Sequence, residues 1–102
     1  MDTENLVAHS RARFDHAVAR RLLREKYTAK MVFAYRGGLF RAGPELLTLL
    51  QAIPMQDEVV VLDVYENPIK VDPLELQHLV FGRWQEQMTA WHVEFEQNNQ
   101  QR

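Results

Sequence analysis

Apolar residues recur along this chain with two periods, and the switching between them predicts the order of its elements. Val7, Phe14, Val18 and Leu22 fall within about 80° at 100° per residue, with Ala17 beside them, which predicts an amphipathic helix over residues 3–26 with one narrow apolar stripe. Thr3 suits its N-cap and Glu4 its first turn. Residues 30–36 have strand composition, Gly37-Gly38 supplies the positive φ angles of a tight turn, and residues 39–42 form the return strand. Pro44 then opens a short helix over 44–52, whose Leu46, Leu47, Leu49 and Leu50 cover so much of its surface that it should be largely buried before Pro54 ends it. Residues 58–65 read as the most strand-like stretch, too continuously apolar for an edge and so expected to be central. Pro68 follows a turn, and 69–71 return as the second half of a hairpin spanning 58–71.

This plan occurs twice. Phe40-Arg41-Ala42-Gly43-Pro44 lies over Ile69-Lys70-Val71-Asp72-Pro73 at a spacing of 29, each time a hairpin whose second strand runs into a proline-started helix. Asp72 as N-cap, Pro73 as first residue and Glu75 as a capping-box partner start a long helix over 73–97. Leu76, Val80, Trp84, Met88, Trp91 and Phe95 line one face of it, a stripe that Leu79 and Phe81 widen. That helix spans about 36 Å and the first one about 33 Å, against about 20 Å for short strands, so both should overhang the sheet. The predicted fold is α+β in the order α-β-β-α-β-β-α, with two β-hairpins joined in a four-stranded, mainly antiparallel sheet flanked by the long terminal helices. A small closed barrel is the alternative.

At 102 residues the chain makes a single domain, with room for a modest core but not for a deep pocket between lobes. It has no cysteine, which excludes disulfides, thiolate metal sites and thiol catalysis and suits a reducing compartment. No signal-peptide pattern or membrane-length apolar run is present, so the expectation is a soluble protein of the cytoplasm, with no membrane partner. The net charge of -2 conceals an asymmetry, since residues 1–30 carry seven Lys/Arg against four Asp/Glu. A basic first helix results.

No motif for catalysis stands out. His9 and His16 share a helix face but lie about 10 Å apart, too far to hold a metal without a third ligand such as Asp15, and His78 and His92 are more distant still. Glu94 and Glu96 point apart on their helix, and Asp57-Glu58 mark the solvated end of a strand. Ser10 is the only serine and sits in no nucleophile elbow. Gly37-Gly38 joins two strands rather than opening a helix, which makes it a turn and not a phosphate loop. Asp63 interrupts an apolar strand. A structural ion pair with Arg36, Arg41 or Lys70 accounts for it better than a general base beside Tyr35 or Tyr65 does. No cofactor, metal or small-molecule ligand is expected.

Two surfaces remain for a partner. Leu79, Trp84, Met88, Trp91 and Phe95 lie where the last helix outruns the sheet, and aromatic and Met side chains are favoured at interfaces. Arg13, Arg20, Arg21 and Arg24 suit an acidic protein or nucleic acid, although a pI near 6.1 is not the footprint of a dedicated nucleic-acid binder. The residues thus favour a non-enzymatic interaction module acting as a homo-oligomer, a dimer by preference. Nucleic-acid binding through the basic helix is the alternative, and a small enzyme comes last.

The segment Ala34-Tyr35-Arg36-Gly37-Gly38-Leu39-Phe40 followed by Gly43-Pro44-Glu45-Leu46, together with Asp63-Val64-Tyr65-Glu66-Asn67-Pro68-Ile69-Lys70-Val71, resembles small proteins of T4-like marine cyanobacterial phages. The resemblance covers about residues 14–95. It implies a non-enzymatic viral role in virion morphogenesis, of the prohead-core kind, in the host cytoplasm or on the virion. Its motifs are turns and helix starts, so it transfers no active site.

Overall fold

The computed structural model describes residues 3–54 and 57–100, with side chains for all of these except 3–5, 9 and 100. The side chains of Thr3, the proposed N-cap, of Glu4 in the first turn and of His9 therefore lie outside what is described. Helix α1 (Thr3–Lys30) leads into a hairpin of β1 (Val32–Tyr35) and β2 (Gly38–Arg41), then α2 (Pro44–Ala52), a hairpin of β3 (Val59–Leu62) and β4 (Pro68–Val71), and α3 (Pro73–Gln100). Both terminal helices run to 28 residues, longer than their apolar patterns predict. Among the described residues, no helix is long and apolar enough to cross a membrane.

The strands pair as two separate two-stranded antiparallel sheets, not as one four-stranded sheet, and no barrel closes. The first hairpin turns through Arg36 (φ 48°) and Gly37 (φ 81°), the two positive φ angles of a type I′ turn. The turn thus falls one residue earlier than Gly37-Gly38. Gly38 is the first residue of β2, and its lack of a side chain serves packing: a Cβ there would stand 2.8 Å from Cγ1 of Ile69 on the other hairpin. The expected central strand is also one-sided. Val59 and Val61 turn inward, whereas Val60 and Leu62 are exposed on the outer face.

The hairpins meet at Leu39. Its carbonyl accepts from the Val64 amide at 2.8 Å, and its amide donates to a carboxylate oxygen of Asp63 at 3.1 Å. Arg36 reaches across to Glu58 at 3.1 Å and to the Lys70 carbonyl at 3.4 Å, while Lys70 also holds Glu58. Between these ties Met31, Tyr35, Phe40, Ala42, Val61 and Val71 close on Leu50 of α2 and on Leu76 and Val80 of α3. Helix α2 contributes less than expected, because Leu46 and Leu47 are half-buried and Leu49 faces solvent.

Asp72 caps α3 as predicted, its carboxylate accepting from the amides of Leu74 and Glu75 at 3.1 and 3.3 Å. The reciprocal half of a capping box is replaced: the Asp72 amide donates to the Tyr35 hydroxyl, which ties the helix start to the first hairpin. Beyond this head, α1 and α3 run antiparallel and the molecule measures 67 × 24 × 22 Å. Its radius of gyration of 19.4 Å compares with about 13 Å for a compact domain of this length.

Gly38→Ala should destabilise the fold by about 1–3 kcal/mol, since Ile69 and the hairpin behind it must move. Gly37→Ala should cost about 1–2 kcal/mol through its left-handed backbone alone. Urea denaturation followed by circular dichroism measures both.

Candidate interaction surface

Helix α1 meets α3 through a polar and aromatic clasp near its C-terminus. Tyr27 stacks on Trp91 with ring centroids 5.8 Å apart and planes 9° from parallel. The Tyr27 hydroxyl and the Lys26 ammonium both donate to one carboxylate oxygen of Glu94, at 2.8 and 2.7 Å. Lys26 and Lys30 place their ammonium groups over the Tyr27 ring. The bond from Lys26, and then that from Tyr27, hold Glu94 below the usual carboxylate range, while hydrogen bonding to Glu94 raises both Lys26 and Tyr27. Trp91 thus packs within the chain, as does half-buried Trp84 against the core.

The face of α1 turned to α3 is that of Leu23 and Tyr27, both buried. The stripe of Val7, Phe14, Val18 and Leu22 lies about 160° round the helix from it, and Phe14 is 69% exposed. The predicted apolar stripe therefore faces outward, except for half-buried Val18. A short core-facing set had been masked by its polar neighbours, Arg20, Arg24 and Lys26.

Helix α3 divides in the same way. Leu76 and Val80 are fully buried and Gln87 is buried with them. Roughly 100° away lie Leu74, Phe81, Met88 and Phe95, spaced by seven, with exposures of 60%, 51%, 37% and 39%. Of the five predicted interface residues, Met88 and Phe95 belong to this outward stripe, Trp84 and Trp91 turn toward the chain itself, and Leu79 is exposed on another flank. Leu74 and Phe81 complete the outward stripe and were not among those five. The seven-residue spacing is the signal that marks them.

A groove of about 460 Å³ runs beside the middle of α3, between Trp84, Met88 and Trp91 on one side and residues 40–46 and 62–64 on the other. At the distal end Arg13, His16 and Arg20 of α1 gather round Phe95 and Asn99. At the head, Asp57, Glu58, Lys70 and Asp72 gather round Leu74. Arg21 pairs with Glu25, while Arg13, Arg20 and Arg24 enter no ion pair among the described residues. Glu96 is engaged by His92.

Asp63 needs correction. It has no basic partner among the described residues; its carboxylate accepts three backbone amides, those of Tyr65 and Asn67 at 2.9 Å and that of Leu39 at 3.1 Å. Those amides, Asn67 and Leu39 first, hold its pKa below the ordinary value of 3.8 despite its burial. Of the basic residues proposed for it, Arg36 and Lys70 pair with Glu58, and Arg41 enters no ion pair among the described residues. Hydrogen bonding to Arg36 and then Lys70 lowers Glu58 in turn. Among the described residues no group of three potential metal ligands assembles, and Arg13 and Arg20 beside His16 would repel a cation.

Compared with protein-family models, curated proteins and solved structures, the chain matches none.

Asp63→Asn should lower the thermal midpoint at pH 7 by several degrees, because a weaker acceptor replaces the charge that three amides share. A carboxylate whose pKa is lower folded than unfolded contributes fully above the ordinary value of 3.8, and its contribution is lost as pH falls through the lowered one. The gap between wild type and variant should therefore narrow below pH 3.8, which paired melts across pH check.

Proposed function

We propose that this chain is a non-enzymatic assembly module that works as a homo-oligomer, using the outward faces of its long helices. The observation that carries the reading is the second apolar stripe on each helix, Val7, Phe14 and Leu22 on α1 and Leu74, Phe81, Met88 and Phe95 on α3, all exposed in the single chain. Apolar side chains aligned on one face of a helix are ordinarily covered, and an isolated monomer leaves these in water. The elongated shape supports it, since a 67 Å molecule presents a long, nearly one-dimensional surface to a partner. The resemblance to cyanophage proteins implies virion morphogenesis as the setting for such an assembly.

Light scattering at tens of micromolar should give a mass that is a multiple of 12.0 kDa. A strict monomer overturns the proposal. Phe81→Ala should lower the mass while leaving the melt of the head little changed, because removing a central aromatic anchor of an interface costs about 2 kcal/mol or more of association.

A second reading rests on Arg13, Arg20 and Arg24, which lie on one side of α1 within about 16 Å and are unpaired among the described residues. They suit phosphates of a nucleic acid. That reading expects binding of a short duplex whose salt slope falls by about one with each Arg→Ala change. No binding at low salt removes it.

A further inference from the structure

The outward stripe of α3 also points to the geometry of the assembly. We infer that two copies dock antiparallel along Leu74, Phe81, Met88 and Phe95, with the arginine-bearing end of each lying on the acidic head of the other; this rests on the oligomeric reading above.

The stripe is a heptad series. Leu74 to Phe95 is 21 residues, three heptads, or about 32 Å of helix. On a straight helix such a series drifts about 20° per heptad, and a left-handed wrap of one helix on another removes the drift. One flank holds Trp84 and Trp91, each three residues beyond a stripe residue, at the second apolar position of a heptad. These are half-buried against their own chain and so form a fixed wall beside the seam.

Charge sets the direction. Phe95 is bordered by Arg13, His16 and Arg20, and Leu74 by Asp57, Glu58 and Asp72, with Lys70 and the Arg36 that reaches Glu58 opposing them. Arg36 and Lys70 already hold Glu58, and the Asp72 carboxylate caps α3, so Asp57 is the acid left for a partner at that end. In an antiparallel pair Phe95 of one copy comes level with Leu74 of the other, and each arginine pair meets an acidic recess. A parallel pair sets arginines on arginines and acids on acids, and like charges at an interface are strongly disfavoured. The antiparallel arrangement is two-fold symmetric, so the same contact forms twice and this seam joins two copies, leaving the α1 stripe outside it.

The absence of native cysteine permits a direct test. Leu74→Cys and Phe95→Cys variants, each at an exposed position, are first shown by thermal melts to keep the fold. They are then oxidised separately and as an equimolar mixture. The expected result is a disulfide-linked dimer in the mixture at about tenfold or more the yield of either variant alone, because in each pure sample the two thiols lie about 32 Å apart. Efficient linking of Leu74→Cys to itself shows a parallel pair and overturns the inference while leaving oligomerisation standing. A wild-type dimer whose mixed variants do not cross-link overturns the stripe as the seam. A monomeric wild type overturns both proposals.

The charge element has its own readout. The double variant Arg13→Glu and Arg20→Glu should raise the dimer Kd by about tenfold at low salt, and Asp57→Lys added to it should restore association. An unchanged Kd in the double variant overturns the pairing of the ends.

Discussion

A four-residue strand is about 13 Å long and each terminal helix about 42 Å, so the two small sheets have no means of covering the helices they anchor. This mismatch governs the rest. The core forms only where hairpins, α2 and the first two turns of α3 overlap, around Phe40, Leu50, Val71, Leu76 and Val80. Beyond it α1 and α3 have only each other, and two helices in contact bury one face apiece. Whatever apolar surface lies on a second face stays in water in the single chain.

Within the head, stability depends on directional contacts as much as on area. Leu39 is grasped at both its amide and its carbonyl by the Asp63-Val64 turn, the Tyr35 hydroxyl accepts from the amide of Asp72, the cap of α3, and Glu58 joins Arg36 to Lys70. Each tie reaches from the first hairpin to the second or to the helix that follows it. Two-stranded hairpins are marginal when isolated, and these cross-ties with the small core behind them make the pair one unit. Asp63 is therefore consumed by structure: with three amides on its oxygens, the carboxylate is a turn clamp and a poor proton acceptor.

The clasp of Tyr27, Trp91, Lys26 and Glu94 does for the helices what Asp63 does for the hairpins. It fixes the rotation of α1 about its axis, and so decides which of that helix's faces is outward. Turning Leu23 and Tyr27 inward leaves Phe14 and Leu22 outside and brings Arg13 and Arg20 beside Phe95. The outward face of α1 thus goes with a contact made near its C-terminus, far along the helix from most of the residues it exposes.

Local chemistry alone determined the elements. The two hairpins, the proline-started helices and the Asp72 cap were legible because turns and caps are set by φ preferences and by donors within a few residues. Even there, Arg36 taking a left-handed angle moved the turn by one residue, and Gly38 proved to answer a neighbour distant in sequence. What periodicity does not carry is the choice between two apolar faces of one helix. On α1 the regular series from Val7 to Leu22 is left largely outside and the chain buries Leu23 and Tyr27 instead; on α3 the predicted stripe is split, with Leu76 and Val80 buried as its period indicated and Met88 and Phe95 left exposed. That choice, the split into two sheets, and the amides that hold Asp63 were decided by tertiary structure, because each depends on which surfaces the short head brings within reach.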